Sequence, residues 1–214
     1  MPGNAYRRFS IAFLMLYAFG SLSPSAEAQL RPDRGYHGMV ASASSIASQV
    51  GADTLKQGGN AIDAACAVGF ALAVVYPAAG NIGGGGFMLI RLADGRTTAV
   101  DYRETAPAAA QHNMYLDTTG AVVPGLSLVG YRAAGVPGTV YGLGLAQRKY
   151  GKLKWEQVVE PARKLAAEGF PVSKALADSL LNSKNLARFP ESRLLLRHLL
   201  VIISERVPVD NFDL

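Results

Sequence analysis

Hydrophobic and polar positions divide the chain into regions of different character. Two arginines, Arg7 and Arg8, precede an apolar stretch over 9–22, and the small-residue box Ala26-Glu27-Ala28 follows it. Positive charge, apolar stretch and small-x-small box in that order predict a leader over 1–28, cleaved before Gln29, and hence a periplasmic or secreted protein. The competing reading is a retained anchor, against which stand the stretch's length, short of the ~20 residues of a spanning helix, and the well-placed small-residue box.

Beyond it, Gly38-Met39-Val40-Ala41-Ser42 reads as a buried strand. Ser44 or Ser45 can cap a helix to about residue 57, in which Ile46, Val50 and Leu55 share one face, with Gly58-Gly59 as its stop. Asn60 caps a second helix over 61–75, with Asp63 in its first turn, where the helix dipole favours an acid. That helix is apolar almost all round, which predicts burial against a sheet. Four glycines, 83–86, then lead into Phe87-Met88-Leu89-Ile90, and Asp94-Gly95 is a two-residue hairpin signal before a returning strand over 96–102. Residues 106–110 and 113–125 read as irregular. A helix follows from Val136-Pro137-Gly138-Thr139 to about 149. The next, over 155–168, has Val158, Val159, Ala162, Leu165 and Ala166 as its apolar set and Gly169 as its stop. Ser173 caps a last helix over 174–186. Helices around a hairpin-bearing sheet indicate an α/β layered architecture. The stretch 194–203 is far richer in leucine, and two readings stay open for it: a buried helix, or sequence out of frame with what precedes.

Composition narrows the classes. Half of the residues are hydrophobic and 17% are charged, as in a globular core. Removing 1–28 takes away two arginines and one glutamate and lowers the formal charge from +5 to +4. The basic residues read as scattered, so no nucleic-acid partner is inferred. Cys66 is the one cysteine and reads as a small buried hydrophobe. His37, His112 and His198 share no ligand spacing, and neither metal nor cofactor is expected.

Known catalytic motifs are absent: no Gly-x-Ser-x-Gly elbow, no His-Glu-x-x-His, no Walker lysine. The glycine run precedes a strand, whereas phosphate-binding glycines follow a strand and open a helix. It is either a close crossing of two backbones or a ligand loop. Arg103, at the end of the returning strand, carries the one pointed chemical suggestion. A guanidinium there needs a carboxylate or phosphate, gripped through two parallel hydrogen bonds, or a local ion pair with Asp101 or Glu104.

Three runs then resemble one family. Gly58-Gly59-Asn60-Ala61-Ile62-Asp63-Ala64-Ala65, the run 79–88, and Asp101-Tyr102-Arg103-Glu104-Thr105-Ala106-Pro107 closely resemble the large subunit of the γ-glutamyltransferases, or glutathione hydrolases. Gly135-Val136-Pro137-Gly138-Thr139-Val140 and Lys149-Tyr150-Gly151 follow in the same order. The resemblance covers about 38–190, which divides the chain into a leader, 1–28, a partial large-subunit domain, 29–190, and a divergent tail, 191–214.

The resemblance implies the N-terminal-nucleophile hydrolase fold, an αββα sandwich, with only its N-terminal part present. It implies a precursor that cuts itself into large and small subunits and frees a threonine nucleophile at the small subunit's N-terminus. The substrates would be γ-glutamyl amides such as glutathione, with the glutamyl group passed to water, amino acids or peptides. Arg103 matches the family's arginine for the substrate α-carboxylate, and the glycine run becomes close packing beside the substrate cavity. The chain ends before the family's self-cleavage site, so the nucleophile and the oxyanion-hole glycines are expected to be missing. Thr105 and Thr139 have neither the motif context nor a free amine to replace it. A chain without activity on its own, and poorly soluble, is the consequence. Two other outcomes stay open: a related cephalosporin or glutaryl acylase, against which Arg103 argues, and a non-catalytic exported fragment.

Overall fold

A computed structural model describes residues 34–80 and 82–192. The expected leader over 1–28 and the leucine-rich stretch 194–203 lie outside the described residues.

The organising element is α2 (Ala61–Val75), whose residues Ile62, Asp63, Cys66, Ala67, Phe70 and Ala71 are buried. Its covers differ from the sheet expected of it: α1 (Ser45–Lys56) and α4 (Trp155–Glu168) take most of its surface, with α3 (Thr139–Tyr150) beside them. Small residues let these helices approach. A Cβ on Gly51 of α1 would stand 2.6 Å from Val68 Cγ2, and one on Gly69 of α2 would stand 3.0 Å from Leu143 Cδ1 of α3. The hairpin reaches this core only through its inner face, where Ile90 is buried and Met88 and Val100 are partly so. Phe70 and Trp155 meet edge to face at 5.4 Å and close the far side.

Both ends of the first loop follow from local chemistry. Gly58 lies at φ 92°, the left-handed region, and the Gly58 and Gly59 N–H groups bond Leu55 O at 3.0 Å and Thr54 O at 3.1 Å. Those two bonds form a Schellman stop for α1. Asn60 Oδ1 then accepts from the Ile62 and Asp63 N–H groups, while Asp63 Oδ2 accepts from Asn60 N at 3.0 Å, a reciprocal capping box.

Residues 38–42 form no strand, contrary to the expectation for them. A strand needs a neighbour for its N–H and C=O groups, and none pairs with this segment among the described residues. Its anchor is a side chain: Val40 packs beside Gly51 and the small cluster of Ala47, Val68, Ala71 and Val75.

The hairpin joins β1 (Phe87–Arg91) and β2 (Thr97–Asp101) in antiparallel register, Phe87 opposite Asp101 and Arg91 opposite Thr97. Its loop has three residues, where two were expected. Leu92 N bonds Arg96 O at 2.8 Å, Gly95 N bonds Leu92 O at 3.0 Å, and only Gly95 has positive φ, at 87°. A two-residue type I′ turn needs positive φ at both central residues, and Asp94 does not supply it. The Asp94 carboxylate instead accepts from Arg96, from the backbone N–H at 3.0 Å and from Nε at 2.8 Å.

Helices α3 and α4 keep the expected ranges, closed by Gly151 and Gly169. On α4, Val158 and Ala162 are buried as expected, but Ala166 is exposed. The last helix, α5 (Lys174–Leu181), is capped by Ser173 and is shorter than anticipated. Asn182 Nδ2 takes the Asp178 carbonyl at 2.7 Å, and Asn182, Ser183 and Asn185 turn the backbone into a short 3₁₀ segment, Leu186–Arg188. Such side chains offer the backbone partners that compete with a helix. No helix among the described residues is long and apolar enough to cross a membrane.

Helices therefore lie on one face of a two-stranded sheet. The other face carries Phe87, 61% exposed, and Leu89, 86% exposed, with no second layer over them among the described residues.

Asp63 ties this arrangement together. Its carboxylate is fully buried and accepts from Asn60 N, Gln147 Nε2, Lys152 N and Leu153 N, at 3.0, 3.3, 2.9 and 3.4 Å. Three of these donors converge on Oδ2 and Gln147 Nε2 meets Oδ1, so both oxygens of the carboxylate are hydrogen-bonded. Asp63→Ala strands these buried donors and is expected to cost about 3 kcal/mol. Urea unfolding of wild type and variant checks it, and a loss below about 1 kcal/mol refutes the role.

Candidate functional site

The segment Tyr102-Arg103-Glu104 continues β2, and glycines hold it from two sides. On one side, Gly85 lies so close that a Cβ would stand 2.6 Å from Tyr102 O, 2.7 Å from Glu104 N and 2.8 Å from Arg103 Cα. On the other, a Cβ on Gly138 would fall on Tyr102 O, and one on Gly142 would fall on Tyr102 Cβ and Cγ. Only backbone without side chains fits around this segment. The glycine run is thus a close backbone crossing. Gly86 and Tyr102 extend the ladder through a 3.0 Å bond from Tyr102 N to Gly86 O. Gly84 O accepts from the Gly138 and Thr139 N–H groups at 2.9 and 3.1 Å, capping α3, which has no side-chain cap of its own.

Beyond the clamp, Thr105 and Val136 bond each other's backbone at 2.9 and 3.2 Å, tying the segment to the approach to α3. Tyr102 enters the core, its ring against Gly86 and Gly142, and burial pushes its phenol above the ordinary value. Cys66 is fully buried and its Sγ donates to Leu143 O at 3.4 Å. Burial, with the Asp63 carboxylate adding to it, pushes the thiol up to about 12. The expectation of a small buried hydrophobe holds for it.

Arg103 points the other way and is exposed. Neither Asp101 nor Glu104 pairs with its guanidinium. The Asp101 carboxylate instead accepts the Arg103 backbone N–H at 3.0 Å. The guanidinium carbon lies 6.0 Å from the centroid of the Phe87 ring, at the outer limit of a cation–π contact. Four ion pairs occur among the described residues, and Arg103 is in none of them. Its guanidinium is thus exposed beside the uncovered face of the hairpin with five N–H donors in no ion pair among the described residues, an arrangement suited to an incoming carboxylate.

Other features stay apart from this rim. A cleft of about 560 Å³, lined by Ile46, Val75, Tyr76, Phe170 and Leu176 among others, shares no residue with it. No cluster of potential metal ligands occurs among the described residues. One concentration of charge was missed in the sequence: Arg148, Lys149, Lys152 and Lys154 alternate with Tyr150 and ahead of Trp155, so the basic residues are less scattered than they read. Lys149 lies 5.3 Å from the Tyr150 ring and holds its phenol below the ordinary value. Arg148 and Lys149 occupy the last turn of α3, where cations offset the helix dipole.

Comparison with known proteins bears on this geometry. A family described as gamma-glutamyltranspeptidase matches residues 47–204. The glutathione hydrolase proenzyme of Pseudomonas sp. (strain A14) is 54% identical over 183 residues, 86% of this chain and 31% of that protein. The glutathione hydrolase proenzyme of Escherichia coli (strain K12) is 57% identical over 149 residues, 70% of this chain and 26% of that protein. The crystal structure of Helicobacter pylori gamma-glutamyltranspeptidase superposes with a TM-score of 0.74 at 49% identity, covering 76% of this chain and 47% of that one. The chain belongs to the γ-glutamyltranspeptidase family, and its helices and hairpin are the N-terminal part of the N-terminal-nucleophile hydrolase sandwich. It spans 31% and 26% of the length of the two glutathione hydrolases.

Two consequences follow from the clamp and the buried thiol. Gly142→Ala places a methyl group on Tyr102 and is expected to destabilise the fold by about 3 kcal/mol, read as a lowered denaturation midpoint. An unchanged midpoint would show that the contact yields without cost. For Cys66, the unfolded chain loses the thiol proton near pH 8.5 to 9 and the folded chain near 12, so folding holds an extra proton between these values. Its contribution to stability therefore falls as pH rises across that window, by about 1.4 kcal/mol per unit. The stability gap between wild type and Cys66→Ala should narrow from pH 8 to pH 11, and a gap that stays constant contradicts the shift.

Proposed function

We propose that this chain is large-subunit sequence of an exported glutathione hydrolase/γ-glutamyltransferase, and that Arg103 takes the α-carboxylate of the γ-glutamyl group. The observation that carries this reading is the presentation of Arg103. A clamped backbone places an arginine at the end of a hairpin, and neither neighbouring carboxylate, Asp101 or Glu104, pairs with its guanidinium, which leaves the fork for a ligand. A planar fork with two parallel N–H groups fits a carboxylate better than a point charge does. Relatives named glutathione hydrolase proenzymes support the substrate class and the maturation from a precursor.

In this reading the chain binds and orients the substrate, and the chemistry comes from a small subunit. The hydroxyl oxygen of the threonine that begins that subunit attacks the γ-carbonyl carbon, and its own α-amino group takes the hydroxyl proton. The amide C–N bond breaks, the leaving nitrogen receives the proton, and a γ-glutamyl ester remains. Water then yields glutamate, or an amino acid or peptide amine yields a new γ-glutamyl amide. The exposed apolar face of the hairpin is the side on which the missing layers would sit, which also accounts for the poor solubility expected of the chain alone. The leader over 1–28 assigns the enzyme to the periplasm or the medium.

A chromogenic γ-glutamyl anilide tests this. The 214-residue chain alone should release no aniline, and assembly with a small-subunit partner should produce turnover. Arg103→Ala in that assembly should raise KM about 100-fold, the loss of roughly 3 kcal/mol of charged hydrogen bonding. Release by the isolated chain, or an unaltered KM in the variant, would overturn the proposal.

A further inference from the structure

We infer that Phe87 and Asp101 are positioning residues that present the Arg103 guanidinium to its ligand. The inference rests on the reading of Arg103 as the carboxylate-binding residue and adds how that residue is held.

Phe87 and Asp101 stand directly opposite each other at the open end of the hairpin. Residues directly opposite share a face, so Asp101 lies on the same side as Phe87, and the Arg103 guanidinium reaches that side, 6.0 Å from the Phe87 ring. All three are exposed, on the face without cover among the described residues. Each acts on a different part of the arginine. Asp101 Oδ1 takes the Arg103 backbone N–H at 3.0 Å, which fixes the direction in which the side chain departs. Among the described residues that carboxylate forms no ion pair with the guanidinium, so it does not occupy its donors. Phe87 offers an aromatic face 6.0 Å from the guanidinium carbon, which restricts the side chain without using any N–H. An arginine held by ring and backbone keeps its N–H fork open, and less conformational freedom is lost when a carboxylate arrives. Phe87 is thus an exposed aromatic whose position has a use in binding.

The test uses the assembled two-subunit enzyme and two substrates, a γ-glutamyl anilide and the same anilide without the α-carboxylate. Arg103→Ala, measured first, should abolish discrimination between them. Phe87→Leu should raise KM for the carboxylate-bearing substrate about fivefold with kcat little changed, and Phe87→Tyr should restore most of that loss. Asp101→Ala should raise KM about tenfold, and Asp101→Asn, which keeps an acceptor oxygen, should recover most of it. Neither Phe87→Leu nor Asp101→Ala should act further in the Arg103→Ala background, or on the substrate lacking the carboxylate. If Asp101→Ala fails to assemble, the two Phe87 variants decide, with the anilide lacking the carboxylate as the control for assembly. Equal losses on both substrates mean a general structural defect and overturn the inference. Wild-type constants for Phe87→Leu and Asp101→Ala beside a discrimination-free Arg103→Ala overturn it while leaving the binding reading intact. Retained discrimination in Arg103→Ala overturns both.

Discussion

Close contact of bare backbones at Tyr102 and Arg103 is the constraint on which the rest of this structure depends. Gly85 presses from one side and Gly138 and Gly142 from the other, and none of the three has room for a methyl group. The contact does several things at once. It ends β2 at a defined place, turns the Tyr102 ring into the core, and directs Arg103 outward. It also brings Gly84 O to the start of α3, so that one loop packs a hairpin and caps a helix. Interiors are close-packed, and a contact this tight leaves the segment little freedom to shift. The candidate site is rigid for that reason.

A second fixed point lies at the other end of α3. Asp63 begins α2, yet two of its four donors, Lys152 N and Leu153 N, come from the turn between α3 and α4. Asn60 adds a bond from Nδ2 to Tyr150 O at 2.6 Å. A cap that would serve one helix thus joins three. A buried charge without partners would be unfavourable by several kcal/mol, but here both carboxylate oxygens meet donors and the N-terminal dipole of α2 adds to them. Between these two fixed points α3 is held at both ends, and Gly142 on it faces the segment that carries Arg103.

The chemistry sits where the fold is open. One face of the hairpin is packed by helices and the other carries Phe87, Leu89 and Arg103 toward solvent. Large exposed apolar side chains beside a guanidinium that has no ion-pair partner among the described residues describe an interface with something else. In a family whose fold is a sandwich of two sheets between helices, the uncovered face is where further layers belong.

The sequence by itself determined what depends on neighbours along the chain. The Asn60–Asp63 capping box, the stop at Gly58, the ranges of α1 to α4 and the hairpin with its Gly95 are all legible, because each is settled by contacts within a few residues. The family was also legible, in runs such as Asp101-Tyr102-Arg103-Glu104. Only the tertiary structure decided what depends on distant neighbours. Residues 38–42 have the composition of a strand, but pairing requires a partner, and Val40 is anchored by Gly51 instead. Helix α2 was read as covered by a sheet, and small residues on α1 and α4 brought helices there. Ala166 fits the apolar face of α4 in sequence yet lies beyond the reach of its packing partners. Arg103 could be singled out from its place in the chain. Whether its guanidinium pairs with Asp101 or Glu104 depended on where the side chain goes in space, and neither carboxylate pairs with it.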